Sequence, residues 1–335
     1  MINKKLKKKE YSKLASYLDK YYRKGHILSK NRKLFDWMYY DKKSKKYNFL
    51  VAQIKNRIIA TKGFQPLRRY DEKLSSKEFF MSMWSSSVPT AGIKLFNQLI
   101  KKKNKFIGGI GSSKQSYTYQ KYNNFFTGIM RHSYLLSSKI KKFQIAKVIK
   151  IKKSNKKNIY GSEYFKIDIN FLKKNDLSYL FAGQIPKKSP TYIINRYLES
   201  PFYKYYAFGA LINKKIVNIV VLRNCFYKKK IAVRIVDYIG CQKYFKYLDV
   251  LFKKILNKNN VEYIDLYSHG ISFSEIKKSG LIIKDSKDSN IIPNLFEPFK
   301  KINHKIIYGY LCDNKNRKKV KFFKGDSDMD RPNII

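Results

Sequence analysis

YYAFGALINKKIVNIVVLRNCFYKKKIAVRIVDYIG, residues 205–240, reads as three successive strands. Tyr205 to Ile212, Ile216 to Phe226 and Ile231 to Ile239 are aliphatic and aromatic runs, and Asn213-Lys-Lys215 and Tyr227-Lys-Lys-Lys230 are short polar turns between them. A helical pattern follows. From Tyr244 to Asn257, Phe245, Leu248, Leu251, Phe252 and Ile255 fall on one face. Val261 to Tyr267 is the next strand, and Ser272 to Lys278 is the next helix, ended by Gly280. The order is β-β-β-α-β-α.

The first half carries the same order. Tyr47 to Ile54 and Arg57 to Leu67 are strand-like and joined by Lys55-Asn56, and Phe79 to Trp84 is a third strand. Gly92 to Lys103 reads as a helix, Phe106 to Ile110 as a strand and Ser113 to Asn124 as a second helix. One or two further helices precede them, marked by Tyr11, Leu14, Tyr17, Leu18 and Tyr21, then Leu34, Trp37 and Met38. The expected fold class is α/β with mixed α+β sheets in two tandem copies. The division runs 1–145, a connecting stretch 146–195 with the loop Pro186-Lys-Lys-Ser-Pro190, and 196–335.

Composition bounds the function. A chain of 335 residues, 44% hydrophobic and 16% aromatic, can bury one large core or two ordinary ones, and two domains are the expectation. Cys225, Cys241 and Cys312 show no CxxC spacing, which argues against a disulfide framework or zinc site and fits a reducing cytoplasm. No run approaches the roughly 18 apolar residues of a membrane span. Lys plus Arg number 73 against 23 Asp plus Glu, a net charge of +50. Such a charge suits nucleic acid, an anionic membrane surface or a phosphorylated substrate. Its even spread beside abundant Ile, Asn, Tyr and Phe reads instead as a compositional habit. The run Lys4 to Lys9 is expected to be a solvated helix face, with peripheral contact to an anionic membrane as the sharper alternative.

The phosphate-binding signal is Trp84-Ser-Ser-Ser-Val-Pro-Thr-Ala-Gly-Ile-Lys-Leu95, a strand passing through small residues into a helix. Backbone amides and the helix dipole favour an anion there, and glycine permits close approach. An ordinary Ser- and Thr-rich helix start has the same pattern.

Several stretches resemble a known family. LFDWMYYD, NRIIATKGFQP, MWSSSVPTAGIKLF and IGGIGSSKQSYTYQKYNNFF in the first half, and RYLESPFYKYYAFG, VRIVDYIG, VEYIDLYSHG, IIPNLFEPF and KGDSDMDRPN in the second, are similar to the tandem GNAT-type N-acyltransferases of bacterial polysaccharide gene clusters. That group includes the N-acyltransferase of anthrose biosynthesis. The resemblance covers most of the chain from about residue 34. It implies two tandem GNAT-like domains with the active site between them, and transfer of an acyl group from acyl-coenzyme A (CoA) to the amine of a nucleotide-linked amino sugar, with no metal. The family usually has a fuller Gly-x-Gly at the pyrophosphate loop and often an acidic residue beside the tryptophan. Here only Gly92 remains, and Ser82-Met83 precede Trp84. Gly240-Cys241-Gln242 in the second half is poorer still, so CoA is assigned to the first domain and the acceptor to the second.

The expected CoA contacts are Trp84, Ser87, Val88, Thr90, Ala91, Gly92, Ile93, Lys94, Ser113 and Tyr119. An amine attacks a thioester only when neutral, so a proton acceptor is needed and no nucleophilic side chain is. Asp237, His269, Glu297 and Ser82 are the catalytic candidates. Arg234 or Arg223 pairing with Asp237 or Glu297 is the structural alternative. Arg234, Tyr267, Asn294, Phe296 and Arg331 are the expected acceptor contacts. Asp326, Asp328 and Asp330 lack the Gly and Glu of a calcium loop. Two competing readings are an aminoacyl-tRNA-dependent peptidyltransferase of the FemABX type and a non-catalytic nucleic-acid binder. The latter lacks an RNP-like motif, zinc knuckle or helix-turn-helix, and no nucleic-acid partner is expected.

Overall fold

The structure, a computed structural model, describes residues 1–101, 104–151 and 162–333. The end of the expected Gly92 to Lys103 helix and residues 152–161 of the connecting stretch lie outside the described residues. In chain order the longer elements begin with β1 (Ile2–Lys7), α1 (Tyr11–Tyr21), α2 (Arg32–Tyr39), β2 (Lys46–Ile54), β3 (Arg57–Pro66), β4 (Glu78–Ser86) and α3 (Pro89–Ile100). Then come β5 (Phe106–Ile110), α4 (Lys114–Tyr122), β6 (Phe126–Ile129), β7 (Arg131–Leu136), β8 (Glu163–Ile167), β9 (Tyr205–Ile212), β10 (Lys215–Tyr227) and β11 (Lys230–Gly240). The chain continues with α5 (Leu248–Leu256), β12 (Val261–His269), α6 (Phe273–Lys278) and β13 (Ile307–Cys312).

Two compact units result, and neither is contiguous. The first comprises Met1–Thr127, Tyr308–Asn314 and Ser327–Ile335; the second comprises Gly128–Ile307 and Lys315–Asp326. This differs from the continuous division expected from the sequence, because late segments join the first unit. The stretch 146–195 supplies β8, an edge strand of the second sheet, and the short helix Ile169–Lys174.

The first sheet has the order β1-β2-β3-β4-β5-β13-β6. Its antiparallel ladders give way to one parallel pair, β4 with β5. Ala91, Leu95, Phe96 and Leu99 of α3 bury one face against Leu50, Ala52, Ala60, Phe64, Phe79, Met81 and Ile107. Each such aliphatic or aromatic side chain contributes roughly 1.5–3 kcal/mol by leaving water. The opposite face is aromatic, with Phe35 and Tyr39 of α2 against Tyr47 and Phe49.

The second sheet runs β7-β12-β11-β10-β9-β8, with Ile282–Ile283 beyond β7, and its parallel pair is β11 with β12. Leu248, Leu251, Phe252 and Ile255 of α5 cover Val220, Leu222, Val233, Ile235, Ile264 and Leu266. The helix expected over Tyr244 to Asn257 opens as a 3-10 segment, Gln242–Tyr247, before α5 begins.

The Lys4 to Lys9 run is not a helix face. Ile2–Lys7 is a strand paired antiparallel with β2, Ile2 opposite Gln53 and Lys5 opposite Leu50, followed by the 3-10 turn Lys8–Glu10. Leu6 is the buried anchor, and lysines on an outer strand both tolerate solvent and discourage pairing with another chain.

Candidate active site

Each unit carries the same local irregularity at the end of its parallel pair. In the first, the β4–β5 ladder runs from Glu78–Phe106 to Met81–Gly109 and stops, while β4 continues to Ser86. The β3–β4 ladder slips at that point: Lys62 faces Trp84 and Phe64 faces Met81, so Ser82 and Met83 bulge opposite Gly63. In the second, the β11–β12 ladder stops at Ile235–Leu266, and Val236 is the extra residue between pairs Leu222–Ile235 and Val221–Asp237. A bulge re-aims the side chains beyond it. In the second unit it brings Asp237 onto the face of Arg234 instead of the apolar face.

Strands that part leave backbone groups that need partners, and the two units meet this need differently. In the second unit a strand enters: Phe322 and Phe323 pair with His269 and Ser268, and Gly325 N donates to Val236 O at 2.9 Å. In the first unit the donors are side chains. Ser327 Oγ donates to Met81 O at 3.0 Å and Lys62 Nζ to Ser82 O at 3.1 Å.

The first unit's opening is lined as follows. Lys62, on β3, is 3% exposed, with Nζ 5.3 Å from the Trp84 ring centre and 5.7 Å from that of Phe96. Burial pulls its ammonium down to about 7, against the opposing charge of Asp328. Ser82 Oγ accepts from Tyr39 Oη at 2.9 Å, and burial raises that phenol above its usual range. Arg331 Nη2 lies 3.3 Å from Asp328 Oδ2, and Ser327 Oγ is 3.3 Å from Asp328 Oδ1.

The α3 start is partly closed by its own chain. Ser86 Oγ accepts from Gly92 N at 3.1 Å, Ala91 N donates to Val88 O, and Trp84 Nε1 donates to Gly92 O at 3.1 Å. With Pro89 lacking a donor, the Thr90 amide is left for an outside acceptor. Ser87, Val88, Thr90, Ile93 and Lys94 are exposed, whereas Ala91 and Gly92 are buried against the sheet. Gly92 is required by packing: a Cβ there would sit 2.8 Å from Ser86 Cβ and 3.0 Å from Trp84 Nε1. Ser113 caps α4 by accepting from Ser116 N. Tyr119 packs on Trp84 and Phe96 and donates to Asn97 Oδ1 at 2.9 Å. A cleft of about 600 Å³ runs along Lys114, Gln115, Thr118, Tyr119 and Tyr122.

The second unit places the remaining candidates. Asp237 is fully buried, with Lys188 Nζ at 2.8 and 2.7 Å, Tyr197 Oη at 2.9 Å and the Tyr238 amide at 2.8 Å. Lys188 also meets Asp326 at 2.8 Å. Burial works against the lysine's charge, but the two carboxylates outweigh it and hold its pKa above the usual range; burial and Asp237 push Asp326 up to about 6. Asp237 therefore does not pair with Arg234. Arg234 forks onto Asp265 at 3.0 and 2.8 Å and donates to Asn294 O, which also accepts from Lys324 Nζ. Glu297 does take Arg223, at 2.9 Å, and Tyr203. Phe296 lies over Arg234, and Tyr267 stacks on His132 and donates to His304 O. His269 stacks on Phe322, and burial with Arg131 and Arg317 lowers it to about 4. Arg234, Tyr267, Asn294 and Phe296 thus gather on one face of the second sheet, while Ser82 and Arg331 belong to the first unit. Sequence reasoning missed Lys62 and Lys188 and weighed Asp328 only as part of a metal-ligand run; its available signal for Lys62 was a lysine inside the strand pattern IIATKGFQP.

Among the described residues no group of three or more His, Cys, Asp or Glu is placed to hold a metal ion, and no helix is long and apolar enough to cross a membrane.

No protein-family model matches the chain, and no curated protein matches it. Solved structures do. A GCN5-related N-acetyltransferase from Kribbella flavida aligns over 92% of this chain and 70% of its own, with a TM-score of 0.55 at 9% identity. One from Anabaena variabilis aligns over 92% and 72%, with a TM-score of 0.53 at 9% identity. A conserved protein of unknown function and probable N-acyltransferase from Enterococcus faecalis aligns over 91% and 71%, with a TM-score of 0.53 at 8% identity. At such identities the likeness concerns architecture, and the architecture is that of the GCN5-related N-acetyltransferase fold, present here in two sheets that each follow the same β-β-β-α-β plan.

Proposed function

We propose that this chain transfers an acyl group from acyl-CoA to an amine, and that the thioester is seated in the opening of the first sheet. The observation that carries the reading is the contrast between the two openings. In the second unit the strand edge is already taken by Phe322–Gly325, whereas in the first the edge beyond Met81 is met by the side chains of Ser327 and Lys62. The pantetheine arm of CoA carries two amides and can add to such an edge as an extended peptide does. The pyrophosphate would lie at the α3 start near Thr90, Ile93 and Lys94, where the dipole of a 12-residue helix favours an anion. The adenosine end would follow the α4 cleft past Lys114 and Tyr119.

The acceptor in this reading is a nucleotide-linked amino sugar. Its support is the resemblance of the second half, RYLESPFYKYYAFG and IIPNLFEPF, and the partly exposed Glu297 beside Arg223 and Tyr203. A thermal-shift screen of acetyl-CoA and longer thioesters against nucleoside-diphosphate amino sugars tests both parts. The expected result is stabilisation by thioester alone, and release of CoA thiol only when a suitable amine is added. Stabilisation by no thioester would refute the reading.

A further inference from the structure

We propose that Lys62 is the proton acceptor of the acyl transfer, taking the proton from the attacking nitrogen and passing it to the departing CoA sulfur. The inference rests on the reading that the thioester occupies the first unit's opening. Lys62 comes from the middle of β3, yet its Nζ is carried to the Ser82 carbonyl, at the bulge where β4 leaves β5. Its buried Nζ thus lies at the point where the two strands part.

Its surroundings keep it available as a free base. The Trp84 and Phe96 rings cover it from β4 and α3. Asp328, in the C-terminal segment, is the carboxylate that acts on it, and that carboxylate is shared with Arg331. From α2, Tyr39 spends its hydroxyl on Ser82 Oγ and stays protonated. Among the described residues no carboxylate is bonded to Nζ, in contrast to Lys188 of the second unit, which is held between two. A buried amine so placed loses its proton near neutral pH.

The step balances within the chain. The neutral amine attacks the thioester carbon and the new C–N bond forms. The proton on that nitrogen moves to Lys62 Nζ, the C–S bond breaks, and the lysine ammonium protonates the thiolate. An amide and CoA thiol leave, and Lys62 is again neutral.

The test compares wild type, Lys62→Met and Asp328→Asn with acetyl-CoA and the amino-sugar panel. Calorimetry measures CoA affinity, and thiol release measures turnover against pH. Expected are near-normal CoA affinity in Lys62→Met with a loss of roughly 10²-fold or more in kcat, partly restored by added methylamine. In Asp328→Asn the acid limb of the kcat profile should move to lower pH, because a charge that favours the lysine ammonium is gone. A merely structural lysine would not shift that limb. Retained turnover in Lys62→Met, or an unmoved limb in Asp328→Asn, overturns the role while leaving the acyltransferase reading intact. Wild-type protein that binds no CoA thioester overturns both. Should Lys62→Met fail to fold, the Asp328→Asn profile decides.

Discussion

A lysine inside a strand is usually read as a surface residue with its stem over the sheet. Lys62 is instead enclosed by Trp84 and Phe96, because the bulge at Ser82 and Met83 returns Trp84 to its side of the sheet. This has a consequence for stability. The unfolded chain keeps the Lys62 proton to its usual 10.5, the folded chain only to about 7, so between those values the unfolded state binds more protons. The penalty for burying the amine is complete below about pH 7 and fades as pH rises towards 10.5. Wild type should therefore gain up to about 5 kcal/mol over this range relative to Lys62→Met. Urea denaturation of both at pH 7 and pH 10 checks this; equal gains would contradict it. Lys188 shows the opposite design. Lys188→Met strands two buried carboxylates and should cost about 3–5 kcal/mol. Asp237→Asn still leaves Lys188 paired with Asp326, so it should cost less and, where folded, leave turnover near wild type. Circular dichroism melts of the two variants separate these outcomes. The sequence could name Asp237 as a carboxylate in an apolar run, but the partner that encloses it lies 49 residues away in the Pro186–Pro190 loop, and no local pattern announces it.

Element boundaries were legible where packing is periodic. β5 and β9 match the expected ranges residue for residue, and α5 uses the expected Leu248, Leu251, Phe252 and Ile255 face. What was hidden depends on partners distant in the chain. β1 reads as a charge run until β2 is set beside it, and β13 is a short apolar stretch whose place beside β5 is fixed nearly 200 residues later. The bulges were equally unreadable, since each is a mismatch between two strands. Gly92 was legible as special, and packing requires it as well: it lets α3 lie on Ser86 and Trp84. Gly92→Val should consequently destabilise the fold by about 1–3 kcal/mol through overpacking, a cost read directly from the urea midpoint, and any loss of CoA binding must be measured on protein still folded. Gly325 marks the element that fills the second opening. A Cβ there would stand 2.5 Å from Val236 O and 2.6 Å from Tyr197 Oη. Gly325→Ala should therefore lower the melting temperature; a variant as stable as wild type would show that this strand is loosely held.

At the scale of the whole molecule, the two-copy plan was visible in the repeated β-β-β-α-β order, but the sorting of late segments was not. Tyr308–Asn314 and the residues from Ser327 onward join the first unit, which no composition shift predicts. The charge of +50 did not guide the site either: the lysines that matter, Lys62 and Lys188, are among the few that are buried. One acyl-CoA should bind, in the first unit's opening. Hydrogen–deuterium exchange with and without CoA tests it most directly, because it reports which strand edge gains protection. Exchange should slow in Ser82–Gly92 and Lys114–Tyr122, with Val236–Gln242 unchanged because its edge is already paired. Protection of Val236–Gln242 with none at Ser82–Gly92, or no protection at saturating CoA, would contradict it.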